Sequence, residues 1–461
     1  MYENQSLRDG IEAKTLKIAV VGLGYVGMPL AVAFGRHFKT VGYDVSTSRI
    51  DALNRHQDVT GEVSEEAFSE SDKLSFSDAE SDLAGCDVYV VAVPTPFDDH
   101  GKFDDGYLVS ASMRIGRMMK KGALVIYEST VYPGCTEEVC IPVIEKASGL
   151  KLNEDFFVGY SPERINPGNK SHGTINKSGT SQTAGCVGDK GHTLESIVKV
   201  VSGSCHEAVA AVDALYRWVV KAGTCPVSSI RVAEAVKSVE NAQRDVNIAF
   251  ANEVSTILGK MGIDTQEVLN AAATKWNFLN FRPGLVGGYC IPNASGYLSY
   301  KVLGDYRPEV LLASRRHNAG MGKRIAQDVI RLIMDRGMVV KGAVVRIFGC
   351  TFKENCPEVR SSCVFDIVKE LQKFNCRVQV VDPHADPAAV KAHYGVDLMV
   401  PDTSEPKDGM GGCQKDAVNA AIIAVAHDEF KTLDFGSSKC RWTVVYDVKG
   451  ILPKEQIDGR L

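Results

Sequence analysis

Apolar runs alternate with helix-like periods along the first third of the chain. Four apolar runs are typical of buried parallel strands, at residues 16–21, 40–44, 88–93 and 123–127. Between them, residues 28–36 and 108–119 space their apolar positions as an amphipathic helix does. This alternation predicts a doubly wound parallel sheet.

The pattern changes in the middle of the chain and then returns. Residues 229–258 contain no proline or glycine, which predicts one long helix in a region that stays helical to residue 336. Apolar strand candidates reappear at residues 343–348, 377–381, 420–425 and 443–446. We therefore expect an α/β protein with two Rossmann-like doubly wound domains joined by a central helical domain. The predicted boundaries are 1–203, 204–336 and 337–461.

Charge and composition narrow the class of protein. The 461 residues carry a net charge of only -5, which gives no electrostatic basis for binding nucleic acid or an anionic membrane. No apolar stretch has the length of a signal peptide core or a membrane span. The 13 cysteines are scattered without Cys-x-x-Cys pairs, so we expect reduced thiols, no metal site and a cytoplasmic protein.

A glycine-rich turn follows the first predicted strand. Gly22, Gly24 and Gly27 form Gly-x-Gly-x-x-Gly, with Tyr25 and Val26 inside it, and a predicted helix follows. The glycines permit a tight turn, close approach to a pyrophosphate and close packing of helix on strand.

An acidic residue ends the next strand of the predicted sheet. Asp44 can accept hydrogen bonds from ribose hydroxyls and would repel a 2′-phosphate, which favours NAD over NADP. Arg49 complicates this choice, because an arginine can hold a 2′-phosphate. The alternative is a purely structural glycine turn.

Two further segments contain candidate chemistry. Lys237 and Asn241 are four residues apart on the long predicted helix and therefore share a face. Cys290 follows the pair Gly287-Gly288, where backbone is open to close approach. Taken alone, Lys237 fits a solvated surface lysine and Cys290 a core thiol.

An ordered set of motifs makes the chain similar to a known family. The motifs are the Gly22 turn, Val93-Pro94-Thr95-Pro96, Glu128-Ser129-Thr130-Val131, Ser161-Pro162-Glu163-Arg164-Ile165-Asn166-Pro167-Gly168, Glu240-Asn241-Ala242-Gln243-Arg244-Asp245, the Gly287-Gly288 loop, Thr351-Phe352-Lys353-Glu354-Asn355, Ala424-Val425-Ala426-His427 and Asp447-Val448-Lys449-Gly450. Together they resemble the UDP-glucose / UDP-N-acetylglucosamine / UDP-N-acetylmannosamine 6-dehydrogenases over nearly the whole chain. The stretch before Phe281-Arg282-Pro283-Gly284 resembles the branch that acts on UDP-N-acetylglucosamine.

The resemblance implies an activity and a set of catalytic residues. The family oxidises the C6 alcohol of the sugar to a carboxylate and consumes two NAD⁺, supplying acidic sugar nucleotides for polysaccharides. Cys290 matches the nucleophile that forms a thiohemiacetal and then a thioester. Lys237 and Asn241 match donors to the oxyanion at C6, and Thr130 and Glu163 match positions that hold the catalytic water.

The resemblance also implies the binding residues and a partner. Cofactor contacts would come from Pro94, Thr95, Ser129 and Thr130 besides the glycine turn, Asp44 and Arg49. Substrate contacts would come from Glu163, Arg164, Asn166, Lys237, Asn241, Arg282, Gly287, Gly288, Phe352, Lys353 and Arg360. Arg282 matches a residue that reaches the substrate of a partner subunit, so we expect a homodimer.

The sequence departs from the family pattern at two places. The aspartate four residues after the nucleophile, associated with water activation, is replaced by Ala294. Residues 169–188 form an insertion rich in Ser, Gly and Thr that would be a lid or a disordered loop, and residues 401–415 form a second polar loop.

Three functions remain open from the sequence. The first is a UDP-N-acetylhexosamine 6-dehydrogenase, and the second is a UDP-glucose 6-dehydrogenase. The third is a degenerate protein that binds NAD and UDP-sugar with impaired thioester hydrolysis, which Ala294 favours and the retained nucleophile position disfavours.

Overall fold

The structure is a computed structural model that describes most of the chain. It describes residues 2–98, 102–164, 193–288, 290–302, 304–399, 418–433, 435 and 444–461, with main chain alone at 2–6 and 290. Asn166, the 169–188 insertion and the 401–415 loop lie outside the described residues. The chain divides into two compact units, whose described residues fall in 2–164, 193–241 and 296–307 for the first and in 242–295 and 308–461 for the second.

An eight-stranded sheet forms the centre of the first unit. Its strands are β1 (Lys17–Val21), β2 (Lys39–Tyr43), β3 (Leu74–Ser77), β4 (Val88–Val91), β5 (Leu124–Tyr127), β6 (Phe157–Tyr160), β7 (Lys199–Gly203) and β8 (Thr224–Pro226). The spatial order is β3-β2-β1-β4-β5-β6-β7-β8, and β6 with β7 is the antiparallel pair while the other neighbours are parallel. The strands β1, β4 and β5 are buried over nearly their whole length, as continuous apolar runs predict for a sheet covered on both faces.

Helices cover both faces of this sheet. They are α1 (Tyr2–Ala13), α2 (Gly27–Gly35), α3 (Thr47–Asn54), α4 (Glu65–Ser69), α5 (Gly106–Met118), α6 (Ile141–Ser148) and α7 (His206–Tyr216). Side chains of α2 and α7 share one apolar core with β1, while α5 and α6 border a second core with β4 and β5. The order reverses beside β1, which places a crevice outside the carboxyl ends of β1 and β4.

The predicted long helix forms as α8 (Ile230–Lys260), 31 residues without proline. Four shorter helices follow it, namely α9 (Thr265–Ala272), α10 (Cys290–Ser299), α11 (Glu309–Ala319) and α12 (Met321–Asp335). In the described part of the chain, no helix has both the length and the apolar content that crossing a membrane requires.

A second parallel sheet lies in the second unit. Its strands are β9 (Val344–Phe348), β10 (Arg377–Val381), β11 (Ala420–Ile423), β12 (Val444–Asp447) and β13 (Gly459–Arg460), in the order β10-β9-β11-β12-β13. Helices α12, α13 (Val364–Lys373) and α14 (Pro387–Tyr394) pack on it. The predicted class is confirmed, with two Rossmann-like sheets and a helical middle, and each strand predicted within these two sheets appears within two residues of its predicted ends.

Candidate active site

The glycine turn leads from β1 into α2 as the sequence predicts. Gly22 has a φ of +92°, and a Cβ there would lie 2.7 Å from the carbonyl oxygen of Ala92. A Cβ at Gly27 would overlap the carbonyl oxygen of Gly22. At Gly24, in contrast, a Cβ would meet no atom within 4 Å, so the turn is open on that side. Bare backbone beside the uncapped first turn of α2 is a suitable seat for a pyrophosphate.

Asp44 and Arg49 both brace this turn. Asp44 accepts hydrogen bonds from the backbone N–H groups of Leu23 (2.9 Å) and Ser46 (3.0 Å). Arg49 donates from Nε and Nη2 to the carbonyl oxygen of Leu23 and from Nη2 to Asp58, 2.7 Å away. Both side chains of the Arg49–Asp58 pair are largely buried. Nε and Nη2 of Arg49 are thus committed to structure, whereas Nη1 has no hydrogen-bond partner among the described residues. The carboxylate of Asp44 remains the group suited to a ribose.

The hydrogen bond from Arg49 lowers the pKa of its partner, Asp58. Burial by itself raises the pKa of Asp58, but hydrogen bonds from Arg49 and Thr60 outweigh burial and hold that pKa below its ordinary value. The pair therefore stays ionised at neutral pH. Asp44 is the group at this turn that favours NAD, because its carboxylate can accept hydrogen bonds from the ribose hydroxyls and would repel a 2′-phosphate.

The loops after β4 and β5 are joined by side-chain hydrogen bonds. Thr95 Oγ1 donates to the carbonyl oxygen of Thr130 (2.7 Å), and Ser129 Oγ donates to that of Val93 (2.7 Å). Tyr160, at the end of β6, donates to the carbonyl oxygen of Ser129 (3.0 Å). The predicted residues Thr95, Ser129 and Thr130 are therefore brought together at the carboxyl edge of the sheet, where open α/β sheets bind ligands.

Glu163 and Arg164 follow β6 at the same edge. Glu163 is buried, and with Arg164 and Lys199 it lines a small cavity that is partly open to solvent. Arg164 donates to the carbonyl oxygen of Val198 (2.8 Å) and forms a salt bridge with Glu240. Arg164 is thereby fixed both to Val198, the residue before β7, and to Glu240 of α8.

One face of α8 is polar and buried, where a core-facing helix is ordinarily apolar. Glu234, Lys237, Ser238 and Asn241 recur at intervals of three and four residues, and all are buried. Among the described residues, Asn241 Nδ2 and Ser238 Oγ have no hydrogen-bond partner. Buried polar atoms without partners are rare, so this face is poised to bind a ligand with acceptor oxygens.

Glu234 connects α8 to the loop that follows Thr130. Its two carboxylate oxygens accept the backbone N–H groups of Gly134 (2.5 Å) and Thr136 (3.0 Å). Burial raises the pKa of Glu234 to about 7. The contact holds the start of a helical segment, Thr136–Ser148, against the turn of α8 that precedes Lys237.

In the second unit, the predicted glycine loop before Cys290 is held at both ends. The N–H and C=O of Gly284 bond to Asn252 of α8 (2.8 and 3.0 Å). Gly288 donates its N–H to the carbonyl oxygen of Ser361 (3.0 Å). The φ of Gly288 is +82°, a conformation that favours glycine, and a Cβ there would also lie close to the ring of Phe352, at 3.1 Å.

The expected nucleophile and the residue that departs from the family pattern share one helix. Cys290 is the first residue of α10, and its side chain lies outside what the structure describes. Ala294 follows one turn later and is buried. Upstream, Arg282 donates to Gln266 (3.2 Å) and Asn270 (2.8 Å) of α9, and both of these side chains are neutral.

The loop from Thr351 to Asn355 contains the predicted Phe352 and Lys353. Thr351 Oγ1 donates to the carbonyl oxygen of Lys353 (2.8 Å), and the Lys353 ammonium lies 5.6 Å from the centre of the Phe352 ring. Arg360 forms a salt bridge with Glu358 at 2.5 Å.

Asp382 and His427 hold this loop through hydrogen bonds to its backbone. Asp382 accepts N–H groups from Cys350 (2.6 Å) and Thr351 (3.2 Å), and His427 Nδ1 accepts that of Asn355 (2.9 Å). Burial favours the protonated acid, yet His427 and the backbone donors lower the pKa of Asp382 to about 2. Two buried side chains thus fix the backbone that presents Phe352 and Lys353.

Sequence reasoning missed two lysines. Lys449 Nζ lies 3.8 Å from the position a Cβ would take at Gly284, and no carboxylate in the described part of the chain forms a salt bridge with it. Lys199 is buried inside β7 and pairs with Glu128. For Lys199, the available signal was a lysine between the apolar residues Val198 and Val200. Lys449 lies within the motif that ends in Gly450.

Comparison with known proteins gives the chain's relatives. Three family models match it, all of the UDP-glucose/GDP-mannose dehydrogenase family: the NAD binding domain at residues 16–180, the central domain at 231–320 and the UDP binding domain at 346–454. A UDP-N-acetyl-D-glucosamine 6-dehydrogenase of Pseudomonas aeruginosa is 47% identical over 97% of this chain and 100% of its own length. One of Salmonella typhi is 43% identical over 97% of this chain and 99% of its own.

Solved structures agree with the sequence comparisons. A UDP-D-ManNAc dehydrogenase from Pyrococcus horikoshii superposes with a TM-score of 0.81 at 26% identity, covering 96% of this chain and 98% of that one. The resemblance and the cofactor expected from the sequence are thereby confirmed. The protein is an NAD-dependent oxidoreductase, and the chain belongs to the UDP-glucose/GDP-mannose dehydrogenase family.

Proposed function

We propose that the protein oxidises the C6 alcohol of UDP-N-acetylglucosamine to the carboxylate. The buried polar face of α8, with its unpartnered Asn241 amide, is the observation that carries the proposal, because it offers donors to an oxyanion in a site shielded from water. The relatives of Pseudomonas aeruginosa and Salmonella typhi bear the name of this activity, and they match nearly the whole chain.

Bound NAD supplies the acceptor for each of the two hydrides that leave C6. The ammonium of Lys237 and the amide of Asn241 stabilise negative charge on the C6 oxygen. The thiolate of Cys290 adds to the C6 aldehyde, and loss of the second hydride leaves a thioester. A nearby ammonium favours the thiolate form of a cysteine, which gives Lys237 a second role.

Hydrolysis of the thioester requires a positioned water. Thr130 and Glu163 are proposed to hold it, with Glu163 as the group that takes its proton. The burial of Glu163 and the hydrogen bond from Thr95 to the Thr130 carbonyl support this assignment, since Thr130 and Glu163 follow the neighbouring strands β5 and β6 at the same edge of the sheet.

Cationic side chains are proposed to bind the UDP diphosphate. Lys353 and Arg360 would contact the nucleotide and sugar, together with Phe352, Gly287, Gly288, Arg164 and Asn166. Lys449 joins this set, because it is a cation beside the Gly284 loop without a carboxylate partner among the described residues. Cation–phosphate hydrogen bonds are strong, so each contact matters to affinity.

Ala294 supports a second candidate, an enzyme that stalls at the thioester. A positioned general base is worth on the order of 10²–10⁴-fold in rate, and the aspartate expected at this position is absent. Mass spectrometry of protein incubated with NAD⁺ and UDP-N-acetylglucosamine tests this candidate. A covalent adduct on Cys290 that persists supports stalling, and an unmodified enzyme with rapid release of uronate rules it out.

A homodimer is part of the proposal, with Arg282 reaching the substrate of the partner. Phe250 and Ile257 lie on α8 seven residues apart, Met261 directly follows the helix, and all three are more than half exposed, while Trp276 is 92% exposed. Clustered exposed apolar side chains of this size are typical of an interface. Light scattering coupled to gel filtration should give twice the 49.9 kDa chain mass, and Phe250→Arg should give the monomer.

Two further assignments complete the proposal. We place the protein in the cytoplasm, which the nine free cysteines of the described residues support. We divide the chain functionally into an NAD-binding part at 1–203, a central catalytic and dimerising part at 204–336 and a UDP-sugar-binding part at 337–461.

The direct test follows reduction of NAD⁺ by absorbance with UDP-N-acetylglucosamine, UDP-N-acetylmannosamine and UDP-glucose in parallel. We expect the highest kcat/KM with UDP-N-acetylglucosamine and two NADH per uronate. Cys290→Ser should carry out at most one of the two oxidations and therefore form at most one NADH per sugar. Reduction that is fastest with UDP-glucose, or absent with every UDP-sugar despite binding, would overturn the proposal.

A further inference from the structure

Lys199 occupies an unusual place for a lysine. It begins β7, and its side chain is 3% exposed. The ammonium pairs with the carboxylate of Glu128, the residue that follows β5, and donates to the carbonyl oxygen of Pro162 at 3.1 Å. A buried ammonium is costly unless it is paired and hydrogen-bonded, so these contacts account for its burial.

The two contacts of Lys199 reach two different loops. Glu128 directly precedes Ser129 and Thr130, and Pro162 directly precedes Glu163. β5 and β6 are parallel neighbours and β7 pairs antiparallel with β6, so the ammonium bridges the carboxyl ends of β5 and β6. One side chain therefore ties both loops that are proposed to hold the water.

The surroundings of Lys199 carry an excess of negative charge. Tyr216 of α7 donates to Glu128, and Glu163 lies close enough to raise the pKa of Glu128 further. Burial is the largest cause of that pKa, about 7, and Lys199 opposes it. Arg164, the other cation here, is paired with Glu240 of α8. Lys199 and Glu163 also line the same cavity.

We propose that Lys199 is a positioning residue for thioester hydrolysis, which holds the Glu163 loop in place and sets the charge around Glu163 through its pair with Glu128. The inference rests on the proposed function, in which Glu163 takes a proton from the water. Lys199 acts through Pro162 and Glu128 and needs no contact with the substrate.

Removing the positive charge of Lys199 and removing the negative charge of Glu128 should have opposite effects on the pH dependence of kcat. Glu128→Gln removes the negative charge of the ionised Glu128 and leaves Lys199 to act on Glu163, so the acid limb of kcat against pH should move down. Lys199→Met removes the positive charge, so the acid limb of kcat should move to higher pH. This shift should be smaller if Glu128 takes up a proton when its partner is lost. The substitution also frees Pro162, and kcat should fall at least tenfold, because misplacement by about 1 Å costs up to about 10² in rate.

The double variant separates charge from tether. Lys199→Met combined with Glu128→Gln restores the charge balance and leaves Pro162 free. Its acid limb should return toward that of the parent protein, while kcat stays low. A residue that merely supports the fold would lower the melting temperature without this reversal.

The experiment measures kcat over pH 5.5–9 and hydrogen exchange by mass spectrometry for the parent, both single variants and the double variant. Peptides covering 157–164 should exchange faster in Lys199→Met and at the parent rate in Glu128→Gln. Lys73→Met is the matched control, because the Lys73 ammonium donates to a carbonyl, that of His37, on the exposed surface. Limbs that move in the same direction, or unchanged exchange at 157–164 in Lys199→Met, would overturn the inference. The exchange arm needs no turnover, so it tests the tether even if every UDP-sugar proves inert.

Discussion

Replacing Glu234 by glutamine should change the stability of the protein in opposite ways at low and high pH. Glu234 is fully buried, and its carboxylate accepts two backbone N–H groups, those of Gly134 and Thr136. A glutamine can accept one of these with its carbonyl oxygen, but its amide nitrogen is a donor and faces the other N–H. A buried N–H without an acceptor costs about 1–3 kcal/mol.

The ionised form of Glu234 is itself a cost to the fold. Burial raises its pKa from an ordinary 4.5 to about 7. At about 1.4 kcal/mol per pH unit, the neutral form is favoured in the folded state by about 3 kcal/mol. A carboxyl whose pKa is raised on folding contributes stability below its unfolded pKa and loses that contribution as the pH rises. The loss therefore falls between about pH 4.5 and pH 7 and is complete above pH 7.

Glutamine does not titrate, so the two proteins should differ most in how steeply the free energy of unfolding changes with pH. At pH 5, Glu234→Gln should be less stable than the parent by about 1–2 kcal/mol, because one N–H loses its acceptor. At pH 8 the parent bears the cost of ionisation, and the variant should be equally stable or more stable by about 1–2 kcal/mol.

Urea unfolding followed by circular dichroism at pH 5, 6, 7 and 8 measures this difference. Other titrating groups, including Glu128, are present in both proteins and cancel in the comparison. Glu145→Gln is the control, since Glu145 also accepts a backbone N–H, that of Leu152 (3.1 Å), in the same unit. A stability difference between parent and Glu234→Gln that stays constant from pH 5 to pH 8 would refute the reasoning.

Three other predictions concern binding and turnover. Asp44→Ala should raise the KM for NAD about tenfold or more and leave that for UDP-sugar within about twofold, as initial rates will show, because the ribose loses its acceptor. Lys449→Ala should do the reverse, with a loss of about tenfold in affinity for UDP measured by calorimetry, since a charge-assisted contact to phosphate is removed. Ala294→Asp should raise the steady-state rate of uronate formation without changing the first NADH, measured by stopped flow, and an unchanged rate would show that Ala294 does not limit hydrolysis.

The elements that the sequence predicted well are those specified by neighbouring residues. The turn from β1 into α2 depends on glycines within six positions, and α8 depends on an uninterrupted run of helix formers, so both formed where expected. The role of Arg49 was ambiguous from sequence because its partner Asp58 lies outside the motif.

The contacts that organise the candidate site join residues far apart in sequence. Lys199 is 71 residues from Glu128, and Glu234 is 100 residues from Gly134. The sequence shows an unusual lysine in an apolar strand but not its partner, because the Lys199–Glu128 pair follows from the spatial order of strands β5, β6 and β7. β6 and β7 were not predicted: β6 contains Gly159, and β7 begins with a lysine and ends in Ser202-Gly203, so its apolar run is only two residues long.

The polar face of α8 is anchored at several points, which suits the chemistry proposed for it. Two polar side chains of α8 each fix a different piece of chain: Glu234 holds the loop after Thr130, and Asn252 holds the Gly284 loop. A buried amide or carboxylate that bonds two backbone groups is a far stricter constraint than an apolar contact, because hydrogen bonds fail at small displacements. Asn241 lies between these fixed points, and its amide lacks a partner among the described residues. A donor held this rigidly needs no reorganisation when charge develops on a bound oxygen, and that is the condition under which it accelerates a reaction most.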